Sequence, residues 1–260
     1  MDTTPILVTG GTGTLGRLLL PHLRAAGRPI RVLARRRPDR PLDGVEYVEG
    51  DLTTGEHVER AAGDAAVVVH CAGSAKGDDV KAANLLRAAA RARHVVYISV
   101  VGADRVPVTS AVDRMAFGYF GAKRAAEVLV AGSGIPWTTL RASQFHELTL
   151  ATVRQLAGLP VVPVPAGVRF QPVDGAEVAA RLAELALGEP AGLVPDVAGP
   201  RAYGFDELVR SYLRAAGRRR PVVRMPMGGG AYRAIRAGAN LAPDRAVGRR
   251  TWEEFLAANL

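Results

Sequence analysis

The chain has 260 residues, 48% of them hydrophobic, which is enough to bury one large core or a core and a small lobe. Its net charge of +9 comes from scattered basic residues, with short runs at 35–37, 218–220 and 249–250 and no interleaved aromatics, so direct nucleic-acid binding is disfavoured. One cysteine, Cys71, excludes an internal disulfide. The absence of Cys/His clusters argues against a metal site, and no apolar run could cross a bilayer, so a cytoplasmic chain with no membrane partner is expected.

Taken in order, MDTTPILVTGG has no basic n-region and does not read as a signal peptide. Apolar β-branched runs follow at PILVT (5–9), IRVLA (30–34), VEYVEG (45–50), AVVVH (66–70), HVVYIS (94–99) and PWTTLR (136–141). Segments with helical spacing separate most of them, and glycines such as Gly27 and Gly63 stand at the helix stops. Strand and helix in alternation predict an α/β fold, a doubly wound parallel sheet of the Rossmann type.

Past residue 144 the rhythm changes. A helix over QFHELTLATVRQLAG leads to the extended pieces VVPVPAG and VRFQPVDG, then a helix, a strand in GLVPDVAG and a helix over FDELVRSYLRAAG. This pattern predicts a nucleotide-binding core over 1–145 and a small C-terminal substrate lobe over 146–260, with one strand returning to the sheet.

The stretch TGGTGTLGR (9–17) lies between a strand and an amphipathic helix, the context a dinucleotide loop requires. Gly10 permits the tight turn, Gly13 the approach of backbone to pyrophosphate, and Gly16 close helix–strand packing; Thr14 and Leu15 open the helix whose N–H groups face phosphate. At the end of the second strand the chain reads LARRRPD. An acid there would bind a ribose 2′-OH, whereas Arg35, with Arg36 behind it, suits a 2′-phosphate, so NADP(H) is the expected cofactor.

These motifs, with VEGDLTT, HCAGS, YISVVGAD, YFGAKRAAE, SGIPWTTLRASQFHE and FQPVDGAEVA, resemble in order the NmrA-like atypical short-chain dehydrogenase/reductases over about residues 5 to 200. The resemblance implies that Asp51 and Leu52 lie near the adenine. It also implies that Cys71, Ala72 and Gly73 line the cofactor floor and that the loop from Ala142 to Phe145 covers the nicotinamide. Cys71 itself reads as a packing residue rather than a nucleophile.

Tyr119 and Lys123 stand four apart, so on a helix they share a face. Carbonyl reduction needs a proton donor, and a nearby cation makes a tyrosine acid enough to serve. Lysine is rare here, occurring only at 76, 81 and 123. Ser99 is the candidate third catalytic group, although the next two positions carry no hydroxyl; Thr109 or Ser110 could replace it. His146, after the cofactor loop, is a candidate substrate contact.

The resulting expectation is an NADP(H)-dependent oxidoreductase acting on a small carbonyl, quinone or enone through Tyr119 and Lys123. The rival is an NADP(H)-binding redox sensor of the NmrA-like kind without turnover, and an isomerase or dehydratase that retains its cofactor is a weaker third. An Ala-rich helix pair could support a homodimer.

Overall fold

The computed structural model describes residues 4–74 and 77–260. The elements in chain order begin with β1 (Ile6–Thr9), α1 (Thr14–Ala25), β2 (Ile30–Ala34), β3 (Val45–Glu49), α2 (Val58–Ala62), β4 (Val67–His70) and α3 (Asp78–Ala88). There follow β5 (His94–Val100), α4 (Ala111–Ala131), β6 (Trp137–Ala142), α5 (His146–Leu156), β7 (Val162–Pro165), β8 (Arg169–Phe170) and α6 (Gly175–Leu187). The chain ends with β9 (Gly192–Leu193), β10 (Tyr203–Gly204), α7 (Phe205–Ala215), β11 (Val222–Met225), α8 (Gly230–Arg236) and α9 (Trp252–Asn259).

Two compact units are drawn from interleaved stretches. One comprises the chain up to Ser99 with Ala122–Leu140 and Ala176–Val194; the other comprises Val100–Gly121, Arg141–Gly175 and Pro195–Leu260. This differs from one boundary after residue 145, because α4 and β6 each begin in one unit and end in the other.

The first unit carries a seven-stranded sheet in the order β3-β2-β1-β4-β5-β6-β9, the doubly wound order with β9 added at its edge. The returning strand expected from GLVPDVAG is β9, parallel to β6. The apolar runs form strands because both faces are covered: every residue of β1 and β5 is buried. On α1 the buried residues Leu15, Leu19 and Leu23 recur every fourth position, giving one apolar face toward the sheet. Ile6 pairs in parallel with Ile30 and Val67, so β1, β2 and β4 end together and deliver Gly10, Arg35 and Cys71 to one end of the sheet.

The second unit has its own core, in which Trp252, Tyr203, Leu208 and Ile235 are buried together. Two small sheets edge it, a parallel pair of β7 with β11 and an antiparallel pair of β8 with β10.

Candidate cofactor and active site

The loop after β1 turns at Gly10, whose φ of +71° lies in the left-handed region. A Cβ there would stand 2.6 Å from the Ala72 backbone nitrogen, so the loops after β1 and β4 touch backbone to backbone. At Gly16 a Cβ would collide with the Gly10 carbonyl and with Gly11, so α1 packs directly on the loop. Gly13 caps α1 without a side-chain hydrogen bond, leaving the first N–H groups of the helix for another acceptor.

Between these loops lies a cavity of about 500 Å³. Its lining brings together Gly10, Gly13, Arg35, Asp51, Leu52, Cys71, Ala72 and Gly73, all expected from the sequence to meet the cofactor. Thr14 is exposed at the start of α1, Leu15 and Gly16 are buried on the sheet side, and Arg36 is exposed outside the lining. Asp51 accepts a 2.7 Å bond from the Thr53 N–H. That bond, with the Arg35 and Lys81 charges, holds its carboxyl below the ordinary carboxylate range. Burial pushes the Cys71 thiol up to about 12, against a smaller opposing effect of Lys123, so it is neutral and packs rather than reacts.

Lys123 is buried at the back of this floor. A Cβ on Gly73 would lie 3.0 Å from its ammonium. The ammonium donates to the Ile98 carbonyl at 3.1 Å, pairs with Asp78 at 3.3 Å and sits 5.0 Å from the centre of the Tyr97 ring. Asp78 is fully buried; it accepts from the Ser74 N–H at 2.7 Å and pairs with Lys81 at 3.6 Å. Beside Tyr97, His70 stacks at 5.4 Å and bonds Thr9 at 2.7 Å, and its Nε2 is buried without a hydrogen-bond partner among the described residues. Ser99 is likewise buried, its hydroxyl without a hydrogen-bond partner among the described residues.

Tyr119 follows a break in α4 at Phe117 (φ −133°, ψ 17°), so Tyr119 and Lys123 stand one turn apart on the same unbroken piece of helix. The Tyr119 ring is 37% exposed and lies edge-on to Phe120. In the second unit, Ala142 is buried and its carbonyl accepts from Val101, while Phe145 bridges to Val173 and precedes α5. His146 is 0% exposed, stacked on Phe255 at 4.9 Å and bonded to the Arg250 carbonyl at 3.0 Å. Burial lowers its pKa, and its ring offers no open face to a substrate; position after the loop had suggested one, but tertiary packing turns the ring into the core.

Residues 10–169 match the NAD(P)H-binding family. The chain belongs to this family of atypical short-chain dehydrogenase/reductases. It is 33% identical over 219 residues to a (4-alkanoyl-5-oxo-2,5-dihydrofuran-3-yl)methyl phosphate reductase of Streptomyces griseus, covering 82% of this chain and 74% of that one. It is 30% identical over 242 residues to a ceramide reductase of Caulobacter vibrioides, covering 85% and 73% respectively. In fold it matches an NADPH-dependent quinone oxidoreductase of Escherichia coli complexed with NADPH, with a TM-score of 0.77 at 18% identity over 98% of this chain and 99% of that one. A triphenylmethane reductase of Citrobacter sp. matches with a TM-score of 0.74 at 21% identity, over 98% of both chains.

The cavity suits the dinucleotide of the NAD(P)H-binding family on this chain's own evidence. The backbone contact at Gly10 leaves no room for a side chain, α1 presents uncapped N–H groups, and Arg35 and Lys81 supply positive charge. Asp78, Ser74 and Lys81 are the residues that sequence reasoning missed. An Asp opening a helix is an ordinary cap signal, and only the fold shows that this one meets two lysines.

Proposed function

We propose that the protein is an NADP(H)-dependent reductase of a small carbonyl, quinone or enone, with Tyr119 as proton donor and Lys123 as its electrostatic partner. The observation that carries this reading is the buried Lys123 ammonium, held by Asp78 and Ile98 behind the Gly73 floor and one turn beyond Tyr119. The reductase names of relatives at 30–33% identity support it.

The nicotinamide cofactor, when bound, supplies a hydride to the substrate carbon. Gly10, Gly13 and the open end of α1 would hold the pyrophosphate, and Arg35 would pair with a 2′-phosphate. Tyr119 would pass its phenolic proton to the substrate oxygen, so that a carbonyl leaves as an alcohol. Lys123 would stabilise the charge left on the phenolate, at a fixed place because its hydrogen bond and ion pair leave the ammonium little freedom.

The test follows NADPH absorbance with quinones, ketones and enones for wild type and Tyr119→Phe. Turnover that falls about 100-fold or more in the variant, with NADPH affinity unchanged, is the expected result. In parallel, Arg35→Ala should weaken NADPH by roughly 10- to 100-fold and NADH little. Equal loss for both cofactors overturns the 2′-phosphate assignment. A second reading, a redox sensor without turnover, draws on Ser99, which is buried and is not among the residues that line the cavity. Tight NADPH binding with no oxidation across the panel would favour it.

A further inference from the structure

The second unit carries a basic groove for which the cofactor chemistry has no use. Arg210 and Arg214 stand one turn apart near the end of α7. Gly217, at φ +63°, then reverses the chain, and the Arg218 N–H bonds back to the Leu213 carbonyl at 2.8 Å. Arg218, Arg219 and Arg220 are thereby set against the same helix end. The five arginines line a groove of about 480 Å³ whose remaining lining is apolar, Leu213, Pro221 and Val222.

Among the described residues, carboxylates reach this cluster only at Arg210. Asp206 pairs with Arg210 at 3.7 Å and with Arg224 at 2.6 Å, and Glu207 pairs with Arg201. Among the described residues no carboxylate lies within ion-pair distance of Arg214, Arg218, Arg219 or Arg220. The helix C-terminus favours one or two cations, but five arginines around one groove repel each other.

Exposed aliphatic side chains lie close to the groove along the chain, on the other face of the short β7–β11 pair from Val222. In the parallel pair of β7 and β11, Val162 registers with Val222 and Val164 with Arg224. Val162 and Val164 are buried in the core. Alternation then turns Pro163, Val223 and Met225 to the opposite face, where Val223 is 46% and Met225 52% exposed; Val161, just before β7, is 46% exposed. Val162 also bonds the Pro221 carbonyl, which places Val161 beside the end of the arginine run.

We propose that the arginine-lined edge, with the aliphatic side chains close to it on both sides of the strand pair, is a peripheral docking surface for an anionic phospholipid bilayer. Lipid phosphates would occupy the arginine groove, and Val161, Val223 and Met225 would enter the headgroup boundary. Positive charge beside exposed aliphatic side chains is the combination that such an interface selects. No aromatic lines the groove to stack on bases, which disfavours single-stranded nucleic acid, and two copies meeting through this face would oppose their arginines. No spanning helix is needed, and none of the described helices is long and apolar enough to be one.

The test is flotation of the full chain with vesicles of phosphatidylcholine alone and of phosphatidylcholine with phosphatidylglycerol. Binding is expected only to the anionic vesicles and should weaken as salt is raised. Each arginine near such a surface contributes about fivefold in partitioning, so Arg218→Gln/Arg219→Gln/Arg220→Gln should reduce binding about a hundredfold. Val161→Ser/Val223→Ser should remove the part of the binding that resists salt. NADPH affinity, measured on the same samples, should stay at the wild-type value and reports that each variant is folded. Three results overturn the proposal: no preference for anionic vesicles, unchanged flotation of the triple variant, or tighter binding to DNA than to vesicles at equal salt. A dimer that both sets of substitutions dissolve, without vesicle binding, would assign the face to a second copy instead.

Discussion

In the sheet-bearing unit the buried polar groups Asp78, Lys123, His70 and Ser99 gather at the ends of β4, β5 and α3, behind an open cavity; in the other unit they tie loops together. There, Gln171 donates to the Gly199 carbonyl at 2.8 Å and accepts from the Ala242 N–H at 3.0 Å, and Asn240 donates to the Arg169 carbonyl at 2.8 Å. Asp113 accepts from Ser110 at 2.7 Å and from the Ala231 N–H at 3.0 Å. In the sheet-bearing unit His70 Nε2 and the Ser99 hydroxyl are buried without hydrogen-bond partners among the described residues. Buried atoms without a hydrogen-bond partner among the described residues also occur in the second unit, at Gln144, His146, Glu147, Asn240 and Trp252, so what sets the first unit's group apart is buried charge, Asp78 with Lys123, beside a cavity.

The largest effect that would sharpen this contrast compares two glycines of like dihedral. Gly10 (φ +71°) abuts Ala72, whereas Gly217 (φ +63°) has nothing within 4 Å of where a Cβ would be. Gly10→Ala adds a backbone collision to left-handed strain and should cost roughly 2–4 kcal/mol and at least about 100-fold in NADPH affinity. Gly217→Ala carries the strain alone, about 1 kcal/mol, with NADPH binding unchanged. Denaturant melts and a fluorescence titration of NADPH measure both. Equal losses at the two positions would mean that backbone strain, not the closeness of the two loops, governs the site.

A smaller effect comes from protonation. Burial carries the His70 pKa from 6.5 down to about 3, assisted by the Lys123 and Lys81 charges. A pKa depressed in the folded state means that its stabilising contribution is complete above 6.5 and is lost as pH falls from there toward 3. At pH 5 the unfolded chain has taken up a proton that folded His70 refuses, a loss of about 2 kcal/mol relative to pH 7. His94 and His146 are lowered by burial in the same direction, so the wild-type slope is steeper than one group gives. Urea denaturation at both pH values should show a shallower loss in His70→Gln. A slope identical to wild type would place His70 in contact with water.

Much of the sheet was legible because its signals are local. The six apolar runs became β1 to β6, and the glycine spacing and Arg35 reached the cavity, because a strand, a turn and a helix opening are each encoded in a few adjacent residues. What escaped depends on approach between distant segments. Nothing around Asp78 announces that α4 will bring Lys123 to 3.3 Å from it. His146 opens α5 just after β6, and whether its ring faces a cavity or a core depends on Trp252 and Phe255, far along the sequence. The two-residue strands β8 and β10 are too short to show any period.

The smallest predicted effect lies in the second unit. Thr251 caps α9: its hydroxyl accepts from the Glu254 N–H at 3.3 Å, and the Glu254 carboxylate accepts from the Thr251 N–H at 2.8 Å. The bond from the Thr251 N–H, with one from the Thr251 hydroxyl, holds the Glu254 carboxylate below the ordinary range. The cap fixes the face that α9 presents, the one on which Trp252 and Phe255 stack against His146. Thr251→Ala should cost about 1 kcal/mol, roughly 2–4 °C in Tm for a chain of this size, and Thr251→Ser should restore most of it. NADPH affinity should be unchanged in both, because each bond that is lost closes within α9 and its cap. A fall in affinity that tracks the fall in Tm would break the contrast, since the scaffold of one unit would then be setting the geometry of the other's cavity.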